Sequence, residues 1–214
     1  MRYKAVIFDL DGVLCHTDKY HYMAWKQIAD KLGVYFDELI NNRLRGVSRM
    51  DSLDIILENY AGPPLSDEEK AILAAEKNEA YRSFLMQMSP KDLGPNVICT
   101  LDRLRKGGLR LAIGSSSKNA PLILDRLGLR ECFDAVSDGN NIQYSKPHPQ
   151  VFLMAAEYLG LKPRECLVVE DAKAGIRAAA AAGMDSAAMG DAAGFELATY
   201  SIKDIEELPG LVGV

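Results

Sequence analysis

The sequence predicts an α/β protein, a Rossmann-like parallel sheet with an inserted α-helical cap, and three observations predict it. Short apolar, partly β-branched runs recur at residues 5–8, 109–114, 166–169 and 186–189. Strands buried on both faces of a parallel sheet read as such runs rather than as alternating patterns. Helical patterns separate the later runs, and strands alternating with helices build βαβ units. Between the first run and the second lie some 75 residues with helical patterns alone, too many for one crossover connection.

In chain order, the first strand ends at Asp9. The cap, residues 15–89, holds helical patterns over 16–32, 35–43, 48–60 and 66–88. Gly62-Pro63-Pro64 breaks the chain before the last of them, and Ser66 with Glu69 forms a capping box that starts it. Beyond the cap, helices are predicted over 96–106, 119–127, 149–159 and 172–182. They stop at Gly107, Gly128, Gly160 and Gly183, glycine being the residue that enters the left-handed region at a helix end at least cost. Residues 1–14 and 90–214 thus form the sheet domain, and residues 15–89 the cap.

Composition narrows the function classes. Apolar residues are 48% and charged residues 26%, the usage of ordinary globular domains. Twenty-five basic against 30 acidic side chains give a net charge of −5, which speaks against a nucleic-acid partner while leaving room for a local phosphate pocket. No apolar stretch approaches the ~18 residues of a membrane span, and no export signal is expected at the N-terminus. Cys15, Cys99, Cys132 and Cys166 make no C-x-x-C pair and no zinc spacing with the three histidines. They are expected to be mostly buried, reduced thiols of a cytoplasmic, monomeric protein.

Ligands of open parallel sheets bind beyond the carboxyl ends of the strands, so the residues there are the candidates for chemistry. They are Asp9-Leu10-Asp11-Gly12, Ser115-Ser116-Ser117-Lys118-Asn119, Ser145-Lys146-Pro147 and Glu170-Asp171. Four carboxylates at one edge need a cation, and an all-oxygen set suits Mg²⁺. Lysines and hydroxyls beside them offer donors to phosphate oxygens. A carboxylate can attack phosphorus while its neighbour two residues on moves a proton. The chemistry predicted is phosphoryl transfer.

Asp9-Leu10-Asp11-Gly12-Val13, Gly114-Ser115-Ser116-Ser117, Ser145-Lys146-Pro147 and Val169-Glu170-Asp171 resemble the four motifs of the haloacid dehalogenase (HAD) superfamily, in order and along the whole chain. The resemblance implies Asp9 as nucleophile and Asp11 as general acid/base. It also implies Ser115 and Lys146 as phosphoryl holders, and Glu170 and Asp171 completing a Mg²⁺ site with Asp9 and the Asp11 carbonyl.

The cap residues His21, Trp25, Arg45-Gly46-Val47-Ser48-Arg49, Ser52 and Lys77, with Ser116, Ser117, Lys118 and Asn119, resemble the β-phosphoglucomutase family within it. That resemblance implies interconversion of β-glucose 1-phosphate and glucose 6-phosphate through a bisphosphate. Arg49, Ser117, Lys118 and Asn119 would hold a second phosphate, and Lys77, Ser52 and the 46–48 backbone would hold sugar hydroxyls. His21 would lie near Asp11. A sugar-phosphate phosphatase on the same scaffold is the alternative.

The chain differs from the family pattern at Cys15-His16, Arg45 and Ala172. Plainer roles stay open for some residues: Ser48 and Asn119 as helix N-caps, Trp25 as cap packing, Lys77 as part of a charged helix face.

Overall fold

The computed structural model describes residues 2–44 and 47–214. Its sheet has strands β1 (Ala5–Phe8), β2 (Arg110–Gly114), β3 (Ala135–Ser137), β4 (Cys166–Glu170), β5 (Asp185–Ala188) and β6 (Tyr200–Ser201). They are ordered β3-β2-β1-β4-β5-β6 and every pairing is parallel. In register, Phe8 stands beside Ile113 on one side and Val169 on the other. The segments that follow β1, β2 and β4 therefore leave the sheet side by side.

Alternate residues of the central strands enter opposite layers, as the period of two requires. Val6, Phe8, Leu111, Ile113, Leu167 and Val169 pack against α5 (Val97–Lys106), α6 (Ala120–Leu127) and α9 (Leu208–Val212). Ala5, Ile7, Ala112, Cys166 and Val168 pack against α7 (Gln150–Tyr158) and α8 (Lys173–Ala181). Each fully buried Ile, Leu, Val or Phe contributes about 1.5–3 kcal/mol by leaving water, which is why the continuous apolar runs become the centre of the sheet.

Residues between β1 and β2 form α1 (Asp18–Lys31), α2 (Glu38–Asn42), α3 (Arg49–Leu57) and α4 (Asp67–Leu85). They have an apolar cluster of their own: Trp25, Ile28, Ala29, Val34, Phe36, Leu44, Leu53, Ile56, Leu73 and Ala74. The chain enters and leaves this helical lid at one place. Cys15 pairs with Asp11 and with Leu93, and Gly94 N donates to Leu14 O at 3.0 Å.

The expected helices all form, and most end one to three residues inside their predicted limits because those limits take in the capping residues. Ser66 and Glu69 make the reciprocal capping box that starts α4. Strands β3 and β6, three and two residues long, escape sequence reading because a period of two cannot show itself over so few positions. Helix α9, five residues long, escapes it likewise. The expectation of mostly buried thiols needs correction: Cys15 and Cys166 are buried, Cys132 is half-buried and Cys99 is exposed. Its neighbours Val97 and Leu101 take the inner face of α5. Among the described residues no helix is long and apolar enough to cross a membrane.

Candidate active site

The strand ends and the lid enclose one cavity of about 510 Å³. Its sheet side is lined by Asp9, Asp11, Ser115, Ser116, Ser117, Lys118, Asn119, Lys146, Glu170 and Asp171, and its lid side by His21, Trp25, Val47, Ser48, Arg49, Ser52 and Lys77. Residues spread from position 9 to 171 thus meet here. Arg45 and Gly46, predicted for the same site, lie outside the described residues.

At the sheet side, Lys146 is 3% exposed and donates to Asp9 Oδ1 at 2.6 Å and to Glu170 Oε2 at 2.9 Å. Burial opposes its charge, but the Asp9 and Glu170 carboxylates more than offset this and hold the ammonium protonated. Carboxylate oxygens of Asp9, Glu170 and Asp171 lie within 4.8 Å of one another. Burial, with the neighbouring Asp9 carboxylate, pushes Glu170 up to about 7. Burial and the Glu170 and Asp9 charges push Asp171 up to about 9. One lysine among three carboxylates leaves the cluster short of positive charge, and its hard oxygen donors fit Mg²⁺. The Asp11 carboxylate is not one of these three, though it feels the Asp9 charge.

Two glycines make the crowding possible. Gly12 has φ +85°, and a Cβ there would run into the Asp171 carboxyl. A Cβ on Gly175, in the first turn of α8, would overlap the Glu170 carboxyl. The Asp-x-Asp-Gly spacing marks Gly12 in the sequence; nothing there marks Gly175.

Asp11 has its proton affinity raised to about 7, by burial first and by the Asp9 charge second. Its Oδ1 accepts from the Thr17 hydroxyl, a partner that sequence reading misses. Ser115, 2% exposed, accepts from Ser117 N at 3.2 Å. Ser116 Oγ accepts from the Lys146 backbone N at 3.4 Å, joining two of the loops.

The lid side divides the predicted residues. Ser48 Oγ accepts from Asp51 N at 3.1 Å and donates to Asp51 Oδ2 at 2.7 Å, so its side chain is the N-cap of α3. Ser52 donates to the Ser48 carbonyl at 2.9 Å. Trp25 is 1% exposed and packs in the lid's apolar cluster while lining the cavity. Lys77 is no solvated face residue. It is 3% exposed, its Nζ lying 4.9 Å from the Trp25 ring centre and 4.5 Å from that of Tyr81. Its helix neighbour Glu76 turns outward to Lys31 at 2.6 Å.

Lys77 Nζ lies 2.9 Å from His21 Nδ1. When Lys77 is protonated it donates, and His21 then accepts at Nδ1. Burial, with the Arg49 charge, lowers Lys77 to about 7. Burial and Lys77 push His21 well below its ordinary range. The His21 ring lies against Tyr81, 4.1 Å between centres, and lines the same cavity as Asp11, whose hydrogen-bond partner is the Thr17 hydroxyl. The Asn119 side chain does not cap α6. It bonds instead to Asn78 and Arg82 on α4. Among the described residues neither Arg49 nor Lys77 has a carboxylate partner, and both line the cavity from the lid side.

Comparison with known proteins agrees with this geometry. β-Phosphoglucomutase of Bacillus subtilis is 40% identical over 188 residues, covering 87% of this chain and 83% of that protein. Fructose-1-phosphate phosphatase of Escherichia coli is 35% identical, over 86% of this chain and 95% of its own. The crystal structure of β-phosphoglucomutase from Clostridium difficile superposes with a TM-score of 0.90 at 38% identity, covering 96% of this chain and 93% of that one. The haloacid dehalogenase-like hydrolase model matches residues 3–183. With the parallel sheet, the clustered carboxylates and the paired lysine in place, the chain belongs to the haloacid dehalogenase-like hydrolase family.

Proposed function

We propose that this protein is a β-phosphoglucomutase, interconverting β-glucose 1-phosphate and glucose 6-phosphate through a phosphorylated Asp9 and β-glucose 1,6-bisphosphate. One observation carries the reading. The cavity has a lysine–carboxylate centre at the strand ends, and its lid side adds Arg49 and Lys77, without a carboxylate partner among the described residues. A phosphatase acting on a monophosphate needs one phosphate site, whereas a mutase needs a second anion held away from the nucleophile while the sugar turns.

In the proposed reaction, phospho-Asp9 transfers its phosphoryl group to a sugar hydroxyl. The P–O bond to Asp9 breaks, a bond to the hydroxyl oxygen forms, and the hydroxyl proton passes to Asp11. A proton affinity near 7 suits Asp11 both to take and to return that proton at neutral pH. The bisphosphate then presents its other end. Asp9 attacks that phosphorus, and Asp11 protonates the sugar oxygen that leaves.

Lys146 and Ser115 hold the transferring group. Arg49, Lys118 and Asn119 hold the other phosphate, the guanidinium giving paired donors. Asp9, Glu170, Asp171 and the Asp11 carbonyl would hold Mg²⁺, which supplies positive charge against repulsion between phosphate and carboxylates. The domain limits fit this division, residues 15–89 forming a lid that excludes water. Four free thiols suit the reducing cytoplasm.

The test is to supply β-glucose 1-phosphate, Mg²⁺ and a trace of bisphosphate, following glucose 6-phosphate and free phosphate together. Isomer well in excess of phosphate is expected. Rapid phosphate with little isomer would instead make the protein a sugar-phosphate phosphatase, as its Escherichia coli relative is named. Asp9→Asn should abolish both products.

A further inference from the structure

Asn119 is placed among the phosphate-binding groups, yet its side chain is committed elsewhere. It is 5% exposed. Its Nδ2 donates to Asn78 Oδ1 at 2.9 Å and its Oδ1 accepts from Arg82 Nη1 at 3.3 Å. Asn78 and Arg82 are four residues apart on α4, hence on one helix face. Among the described residues these are the side-chain hydrogen bonds that join α1–α4 to the loops at the strand ends. The other polar tie, Thr17 to Asp11, sits at the hinge, where it does not oppose opening.

We infer that Asn78 and Arg82 form a latch on Asn119 that holds the lid shut and so decides whether the phosphoryl group goes to sugar or to water. The hydrogen-bonding capacity of the amide supports this. A carboxamide offers two N–H donors and one acceptor oxygen. The latch uses one N–H and the oxygen, which fixes the plane of the group and leaves the second N–H for a phosphate oxygen. A phosphate on Asn119 therefore does not compete with the latch: the same amide binds the substrate and reads the position of the lid. With the lid shut, the bond from phosphorus to Asp9 breaks only as one forms to a sugar hydroxyl. With the lid open, water takes that place, and inorganic phosphate leaves with the proton passing to Asp11.

Asn78 and Arg82 are positioning residues, since neither is placed against the reacting atoms. Losing the Asn78–Asn119 bond, between two neutral amides, shifts the balance of shut and open lids about 2- to 10-fold, and losing the bond from the charged Arg82 guanidinium at least as much. The partition of products rests on the mutase reading above; the position of the lid does not, and the experiment keeps the two apart.

Arg82→Met, Arg82→Lys and Asn78→Ala are compared with the unaltered protein in two measurements. Hydrogen–deuterium exchange, without substrate, follows the amides of 77–82 and 115–120. The product assay gives the ratio of free phosphate to glucose 6-phosphate, with acetyl phosphate hydrolysis as a measure of the sheet-side chemistry. In Arg82→Met, exchange in both segments should quicken and the ratio should rise at least about 2- to 10-fold, while acetyl phosphate hydrolysis, which also ends on water, should be kept or raised and not lost. A lysine ammonium in place of the guanidinium can still donate, so Arg82→Lys should restore both.

Unchanged exchange in Arg82→Met and Asn78→Ala would overturn the latch. Faster exchange with an unchanged ratio would overturn its control of acceptor choice. If the unaltered protein makes no glucose 6-phosphate, the mutase reading fails, and the exchange measurement alone still decides whether the latch exists.

Discussion

Gly175→Ala sets two physical effects against each other. Gly175 lies in the first turn of α8, where alanine is ordinarily favoured by about 1 kcal/mol. A Cβ at this position would come closer than 2.5 Å to Cγ, Cδ and Oε1 of Glu170, against an ordinary contact of 3.4–4 Å. The Glu170 carboxyl must therefore retreat by about 1 Å or more. It is 1% exposed and accepts from Lys146 Nζ at 2.9 Å and Ala172 N at 3.2 Å.

Breaking either contact costs about 1–3 kcal/mol, more where a charge is left unpaired, so the helix gain is cancelled or outweighed. A displacement of this size in a catalytic constellation costs about 100-fold in rate. The expected outcome is a variant with melting temperature unchanged or lowered, weaker Mg²⁺ binding by calorimetric titration, and turnover reduced about 100-fold. A variant that is stabilised by the helix preference and keeps unaltered Mg²⁺ affinity and turnover would refute the close packing of α8 on Glu170.

Other consequences follow from the same geometry. Lys77 falls from 10.5 to about 7 on folding, so between those values the unfolded chain binds a proton that the folded one lacks. Stability should rise from pH 7 toward 10 through this group; urea titrations of Lys77→Met should lack that component, and an identical slope in both proteins would exclude it. Trp25→Ala empties a site 1% exposed at the centre of the lid, costing about 3–5 kcal/mol. Circular dichroism should register early melting of helix, with the sheet domain unfolding later. Arg49→Ala removes a lid-side cation. The KM for β-glucose 1-phosphate should rise at least about 10-fold, while hydrolysis of acetyl phosphate, which needs only the sheet side, persists.

The relatives of this chain include both a mutase and phosphatases. Asp9 and Glu170 are set by β1 and β4, whose register aligns Phe8 with Val169, and Lys146 reaches both from the loop before α7. The lid-side groups reach the cavity through helices with an apolar cluster of their own. The sheet side and the lid side are thus separately packed parts, joined at the hinge and at Asn119.

Much of this is legible in the sequence. The apolar runs identify four strands because full burial on both faces demands them, and the residues just after β1, β2 and β4 have to converge once the sheet is parallel. Asp9, Asp11, Ser115, Lys146, Glu170 and Asp171 are therefore readable as one site. Gly128, Gly160 and Gly183 mark the ends of α6, α7 and α8 because a left-handed residue is needed there, and all three have positive φ.

Only the tertiary structure decides the rest. That Lys77 is buried while Glu76 and Glu79 face outward depends on which side of α4 meets α1. That Ser48 caps a helix, Trp25 packs, His21 meets Lys77, and Asn119 turns to the lid depends on packing, in the last two cases against neighbours 56 and 41 positions away in the chain. Local patterns report the period of a strand or helix and the needs of its ends. Which side chain fills a given space, and what that does to its charge, is settled by packing between elements that the sequence keeps far apart.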